Sequence, residues 1–162
     1  MNFTVRGLTI ALYVTASLAI AQKTSSTHDW PIYGGTAENN HFSPLAQISR
    51  KNVTQLEIAW TYDTQESGGL QSSPLIVDGI LYGLTPTEKV FALNASTGKL
   101  LWKFDSGIKS SQPDRGLAYW SNSESPKKEK RILVAVMNYI YALDAATGQP
   151  RSEERRVGKE CA

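Results

Sequence analysis

Apolar residues in the centre of the chain occur in short runs separated by polar turns, a pattern that predicts β-strands rather than helices. The clearest case is residues 74–83, where two apolar runs flank Asp78-Gly79. Asp-Gly is a favoured two-residue hairpin turn, because both of its positions adopt positive φ. Further strands are predicted at residues 90–93 and 99–104. Four short antiparallel strands therefore fit within about forty residues, the size of one propeller blade.

Two stretches of the chain, residues 90–98 and residues 140–148, repeat one pattern at an offset of 50 residues. Each is an apolar run followed by an Asx-x-x-Thr-Gly turn. The Asx side chain can accept hydrogen bonds from backbone amides ahead of it, and Gly98 or Gly148 can adopt the left-handed conformation that closes the turn. Repetition at this period is typical of stacked units such as propeller blades. We therefore predict an all-β fold, a β-propeller of antiparallel four-stranded blades, of which about the first two lie in this chain.

Other segments extend this pattern on either side of the first blade. Residues 57–63 alternate apolar and polar side chains and predict one more strand, with Trp60 on the apolar face. Residues 131–143 predict two strands of the second blade. Trp102 and the small Ala92 are expected to tie neighbouring blades together, which is a structural role and not a catalytic one.

The N-terminus has the three parts of a secretory signal. Arg6 supplies the positive charge, residues 8–19 are mostly apolar, and Ala19-Ile20-Ala21 fits an A-x-A cleavage site. We therefore interpret residues 1–21 as a signal peptide and expect the mature protein to be exported, to a bacterial periplasm. A buried N-terminal strand or a retained anchor is the alternative.

Composition argues against a nucleic-acid partner and against an internal disulfide. Residues 22–150 hold twelve basic and twelve acidic side chains, and no basic run alternates with aromatic residues, so nucleic acid is not an expected partner. Cys161 is the single cysteine, so the chain cannot form an internal disulfide.

The last twelve residues differ in sequence pattern from the rest of the chain. Residues 151–162 lack strand alternation and interrupt the second repeat where a strand containing Trp is expected. Their opening Arg-Ser-Glu-Glu resembles the translation of a common sequencing adapter. We therefore interpret residues 22–150 as the protein's own sequence after the signal and residues 151–162 as a non-native tail. A charged, solvated terminus is the alternative.

Several motifs together point to one family. They are the repeats described above, Trp30-Pro31-Ile32-Tyr33-Gly34-Gly35, Phe42-Ser43-Pro44-Leu45, Gln71-Ser72-Ser73-Pro74 with the hairpin that follows, and Arg115-Gly116-Leu117-Ala118-Tyr119-Trp120. In these segments the chain resembles the quinoprotein dehydrogenases that use pyrroloquinoline quinone (PQQ). The resemblance covers nearly all of residues 29–150.

The resemblance implies an eight-bladed propeller that carries PQQ and a calcium ion on its axis. Such enzymes oxidise a sugar or an alcohol by hydride transfer to PQQ and pass the electrons to a membrane quinone or a cytochrome. The family's calcium ligands and catalytic aspartate would lie beyond Pro150, so we assign no catalytic or metal-binding residue here. We expect the 162-residue polypeptide to be inactive and poorly folded alone.

Two residues are candidate cofactor ligands by their match to the family. Arg115 corresponds to the arginine that approaches the quinone, and a guanidinium suits a tricarboxylate because it is a planar, permanently charged fork of donors. Gln71 stands where relatives often have a glutamate, and it keeps the hydrogen bonds without the charge. Alcohol-oxidising relatives often carry adjacent cysteines shortly before this arginine. The sequence here is Lys109-Ser110-Ser111, which favours the sugar-oxidising branch.

A non-enzymatic scaffold built from the same repeats, such as an outer-membrane assembly lipoprotein, is the competing hypothesis. Such a protein would carry a lipobox cysteine after its signal, whereas Gln22 follows Ala21 here. It would also lack the segment around Arg115. Both features favour the dehydrogenase.

Overall fold

A computed structural model describes residues 28–109, 116–122, 124, 128–151 and 155–156. These residues form two four-stranded antiparallel sheets, each with its strands in chain order. The first sheet comprises β1 (Leu75–Val77), β2 (Ile80–Leu84), β3 (Val90–Asn94) and β4 (Leu100–Phe104). The second comprises β5 (Ala118–Asn122), β6 (Glu129–Val136), β7 (Tyr139–Asp144) and β8 (Arg155–Arg156). A one-turn 3-10 helix, Val53–Gln55, precedes the sheets. Among the described residues no helix has the length and apolar character needed to cross a membrane.

The predicted hairpin and turns are confirmed. Asp78 and Gly79 take φ of 51° and 73° and join β1 to β2. The Asn94 side-chain oxygen accepts hydrogen bonds from the Ser96 and Thr97 amides at 3.1 and 3.0 Å. Asp144 accepts the equivalent bonds in the second sheet, both at 3.0 Å. Gly98 and Gly148 close the two turns with φ of 70° and 71°.

The hydrophobic core lies between the two sheets. On the first sheet, Tyr82, Ala92 and Trp102 are opposite one another on three adjacent strands, so the small Ala92 leaves room for the two rings beside it. On the second sheet, Ile132 pairs with Leu143 at the centre of the buried face. The buried cluster is Leu75, Val77, Tyr82, Leu84, Val90, Ala92, Trp102, Ile132, Val134, Val136, Tyr141, Leu143 and Ala145.

The two sheets bury opposite faces of the repeated strand in the core between them. Ala92 of the first sheet and Leu143 of the second lie in one cluster, although Leu143 corresponds in the repeat to Leu93 rather than to Ala92. The Ala face of one sheet therefore packs against the Leu face of the next, as in successive blades of a propeller. The predicted fold class is confirmed, and the described residues hold two blades.

A tryptophan from earlier in the chain contacts each of the two Asx-x-x-Thr-Gly turns. Trp102 of the first sheet contacts the turn of the second sheet and so ties the two blades together, as predicted. The Trp102 indole N–H donates to the Ala145 carbonyl at 3.1 Å, and its ring covers Gly148 so closely that a Cβ there would lie 2.5 Å away. Trp60 contacts the turn of the first sheet in the same way, because its indole N–H donates to the Ala95 carbonyl at 3.1 Å. The glycine of each turn is therefore required twice, by its φ and by the indole on top of it.

The prediction of a strand at residues 57–63 is wrong. The structure assigns no strand there, although Trp60 is partly buried and the Tyr62 ring lies 5.0 Å from that of Phe91. Ile58, the first apolar residue of the alternation, is 83% exposed. The alternation indicated which side chains pack on the first sheet, but strand formation also needs a neighbouring backbone edge.

Only part of the C-terminal tail is described. Arg155 and Arg156 pair with Ile140 and Tyr139 as the edge strand β8, although their sequence shows no strand alternation. Edge pairing through backbone groups requires no particular side chains. The signal peptide at residues 1–21 and the rest of residues 152–162 lie outside the described residues, and both interpretations stay predictions.

Candidate functional site

Gln71 lies in the short segment that leads into β1, and its side chain is exposed. It borders a cavity of about 20 Å³ between this segment and the β2–β3 hairpin. The cavity is lined by Gly69, Gln71, Ser72, Leu84, Thr85, Pro86 and Glu88. Gln71 is thus held at the edge of the first sheet with its amide accessible to a ligand.

The segment that leads into β5 reaches the same place. A Cβ added to Gly116 would lie 3.5 Å from the Ser72 Cβ, so the two lead segments lie close together there. Gly116 has φ of 102°, a conformation that favours glycine. Arg115 lies outside the described residues. Its neighbour Gly116 lies close to Ser72, the neighbour of Gln71. The assignment of Gln71 and Arg115 as cofactor ligands stays a prediction.

Glu66 holds the loop before Gln71 to the β2–β3 hairpin. Its carboxylate accepts hydrogen bonds from the Thr87 amide at 3.1 Å and the Thr87 hydroxyl at 2.7 Å. It also forms ion pairs with Lys89 at 3.3 Å and Lys103 at 3.6 Å. Burial opposes the charge, but the hydrogen bonds from Thr85, Thr87 and Lys89 outweigh it and lower the pKa of Glu66 to about 2. Glu66 is therefore charged at any ordinary pH.

Glu88 is a site residue that the sequence did not reveal. It is only 5% exposed, and its Oε2 atom has no hydrogen-bond partner among the described residues. It has φ of 62°, lies in the β2–β3 hairpin and is one of the residues that line the cavity. A glutamate beside threonine, proline and lysine in a predicted turn is ordinarily solvated, so no sequence signal marked it.

The exposed amide of Gln71 fits one edge of a carboxylate-rich cofactor such as PQQ. A primary amide provides two donors and one acceptor, and Ser72 beside it adds a hydroxyl. Within the described part of the chain, no three His, Cys, Asp or Glu side chains gather into a group that could hold a metal ion.

Comparison with known proteins gives one consistent result. Residues 30–154 match the PQQ family described as glucose/ethanol/alcohol dehydrogenase, β-propeller domain. The dehydrogenase subunit of the quinone alcohol dehydrogenase of Gluconobacter oxydans is 37% identical over 129 residues, which are 75% of this chain and 16% of that protein. The quinohemoprotein alcohol dehydrogenase of Comamonas testosteroni is 33% identical over 138 residues, 80% of this chain and 18% of that protein.

Solved structures agree with the sequence comparisons. The C. testosteroni enzyme superposes with a TM-score of 0.69 at 30% identity and covers 80% of this chain. A europium-containing methanol dehydrogenase superposes with a TM-score of 0.63 at 26% identity and covers 82%. The match spans 19% and 23% of those two chains. This chain therefore covers less than a quarter of the length of each relative named here.

Proposed function

This chain belongs to the PQQ-dependent glucose/ethanol/alcohol dehydrogenase β-propeller family, and on that premise we propose that it forms the N-terminal part of an exported enzyme that oxidises an alcohol with PQQ. The observation that supports the proposal is the proximity of Ser72 and Gly116, since a Cβ on Gly116 would lie 3.5 Å from the Ser72 Cβ. These two residues are the chain neighbours of Gln71 and Arg115, so their proximity supports a shared role for Gln71 and Arg115 in binding one cofactor.

The residues of this chain would bind and orient the cofactor. When bound, PQQ accepts the hydride equivalent that leaves the substrate carbon. The Gln71 amide would supply hydrogen bonds to PQQ, and the Arg115 guanidinium would balance its carboxylate charge. Glu66 ties the loop before Gln71 to the β2–β3 hairpin, which limits the backbone freedom of the segment that carries Gln71 before the cofactor binds.

The names of the relatives support an alcohol as the substrate. Both relatives compared above are named alcohol dehydrogenases, and this outweighs the missing cysteine pair, which favoured a sugar. One further relative is named 1-butanol dehydrogenase (cytochrome c). The proposal has three further parts. The electron acceptor is a quinone or a cytochrome, and the bound metal ion is calcium or a lanthanide. Residues 1–21 direct the export of the protein. The scaffold hypothesis gains no support from these names.

The test uses the complete reading frame from the source locus, sequenced with long reads across codon 150. We expect the frame to continue into further blades and the apoenzyme, given PQQ and Ca²⁺, to reduce a dye with ethanol in preference to glucose. Arg115→Ala should weaken PQQ binding by roughly 10–100-fold, since a charge-assisted hydrogen bond is lost. Gln71→Ala should weaken it by roughly 2–10-fold.

Gln55→Ala is the matched control, because Gln55 is also exposed but lies in the 3-10 helix. Unchanged PQQ affinity in both the Arg115 and Gln71 variants would contradict the assignment of the site. Preference for glucose would contradict the substrate class. The 162-residue chain by itself should give no PQQ-dependent dye reduction, and detectable reduction would show that fewer residues suffice than we propose.

A further inference from the structure

Residues 57–63 contact the first sheet in the way that β4 contacts the second. The Trp60 indole N–H donates to the Ala95 carbonyl at 3.1 Å. The Trp102 indole N–H, on β4, donates to the Ala145 carbonyl, also at 3.1 Å. Ala95 and Ala145 are equivalent positions of the 50-residue repeat. The glycine that closes each turn lies under the same indole, because a Cβ on it would lie 2.6 or 2.5 Å from the ring.

A second contact repeats beside the first. The Tyr62 ring lies 5.0 Å from the Phe91 ring, and the Phe104 ring lies 5.2 Å from the Tyr141 ring. In each pair the first aromatic residue follows its tryptophan by two positions, and the second members are equivalent in the repeat. Two matching contacts in the same order place residues 57–63 where the outer strand of a further sheet would lie.

The face of the first sheet next to this segment borders an open cavity of about 330 Å³. Its lining is mainly apolar and includes Leu81 and Leu93 of the sheet, with Trp60 and Tyr62 beside them. The corresponding face of the second sheet is covered by all four strands of the first, through residues that include Leu75, Tyr82, Ala92 and Trp102. The described residues thus provide the contacts of an outer strand and leave space for inner strands.

We propose that residues 57–63 are the outer strand of a third sheet, whose three inner strands come from a later part of the complete polypeptide and fill this cavity. The inference rests on the proposed function only in taking this chain as the N-terminal part of a longer protein. The absence of an assigned strand at residues 57–63 follows from it, because a strand is defined by its pairing with a neighbouring backbone.

The register of the first sheet specifies the strand that should pair with this segment. Ala92 pairs with Trp102, and Val90 pairs with Phe104. The small residue leaves room for the indole that lies across from it. We therefore expect the pairing strand to place alanine or another small residue opposite Trp60, with a β-branched residue two positions earlier.

Two other sources of covering strands fit this position less well. A second copy of this chain would offer the free face of its second sheet, because the matching face of its first sheet is already covered. That second sheet has its own outer strand, β8, which would compete for the place that residues 57–63 fill. Residues 1–27 contain a single glycine, Gly7, and no Asp-Gly or Asn-Gly pair to form hairpin turns.

The first test is hydrogen exchange in the complete protein, without any substitution. We expect the alternate amides of residues 57–63 that donate to the neighbouring strand to exchange at least about 100-fold more slowly than in a free peptide of the same sequence. Residues 100–104, which form β4, are the internal reference and should show the same alternating protection. Exchange of all amides of residues 57–63 at the free-peptide rate would overturn the proposal.

The second test identifies the strand by photo-cross-linking in the complete protein, with p-benzoylphenylalanine in place of Thr61, which is exposed. We expect a link within one polypeptide, to a later segment that has the small and β-branched residues described above. The same group in place of Gln55, which is exposed in the 3-10 helix, is the control and should not link to that segment. A link from position 61 to a second copy, or to residues 1–27, would overturn the proposal.

The two tests separate this inference from the proposed function, because neither measurement involves the cofactor. A protein that shows the protected strand and the expected link but does not bind PQQ would contradict the proposed function alone. A PQQ-dependent dehydrogenase in which residues 57–63 are unprotected would contradict this inference alone.

Discussion

The contact between a tryptophan and the glycine beneath it can be tested by a comparison of two glycines. Gly148 and Gly79 have nearly the same φ, 71° and 73°. A Cβ on Gly148 would lie 2.5 Å from the Trp102 ring, whereas nothing lies within 4 Å of a Cβ on Gly79. Changing each to alanine imposes the same backbone cost and differs only in the steric contact.

The magnitudes follow from the two contributions. A non-glycine residue in the left-handed region costs about 1–2 kcal/mol, and this applies to both variants. Gly148→Ala must also displace a ring that is buried and held by the hydrogen bond to Ala145, at about 1–3 kcal/mol for overpacking. Gly148→Ala should therefore lower the free energy of unfolding by about 2–5 kcal/mol and Gly79→Ala by about 1–2 kcal/mol.

Urea unfolding followed by circular dichroism measures both values, in the complete protein that contains these two blades. Trp102→Leu is then combined with Gly148→Ala to complete a double-mutant cycle. We expect a coupling of about 1–3 kcal/mol, because the smaller side chain removes the clash. Equal costs for the two alanine variants, or a coupling near zero, would refute the claim that the indole restricts position 148.

Two other measurements test the turn and the loop beside the site. The native pKa of Glu66, about 2, lies below its ordinary value of 4.5, so its stabilisation is complete above pH 4.5 and is lost as the pH falls through about 2. Glu66→Gln should therefore flatten the pH dependence of stability in this window, as measured by urea unfolding at several pH values, and an unchanged slope would contradict this. Asn94→Ala should cost about 1–2 kcal/mol because the Ser96 and Thr97 amides lose their acceptor. Asn94→Asp should be within about 0.5 kcal/mol of the wild type, since Asp144 makes the same bonds, and equal losses in the two variants would exclude the turn as the cause.

The sequence predicted the features that depend on local chemistry. The Asp78-Gly79 turn and the two Asx turns could be predicted because few residues tolerate those backbone conformations. The 50-residue repeat then predicted that the sheets would be alike and stacked. Trp102 was recognised as a structural residue because it lies on a strand of a repeating unit.

Features that depend on distant neighbours were not predictable. Residues 57–63 have the alternation of a strand, yet no strand forms there, because pairing depends on a backbone that the local sequence does not contain. Glu88 looks like a solvated turn residue, and its burial results from the packing of the hairpin against the segment before β1. Ser72 and Gly116 lie close together although they are 44 positions apart in the chain, and only the stacking of the two sheets brings them together.

The tryptophan contacts run in one direction along the chain, and this sets an order of events during synthesis. Trp60 bonds to a carbonyl 35 residues later, and Trp102 bonds to one 43 residues later. At about 5–20 residues per second, the ribosome makes the acceptor of Trp102 about 2–9 s after the tryptophan itself. During that interval the Ala92 face of the first sheet has no covering sheet. Each newly made blade is therefore open to non-native association for seconds, until the next turn leaves the ribosome.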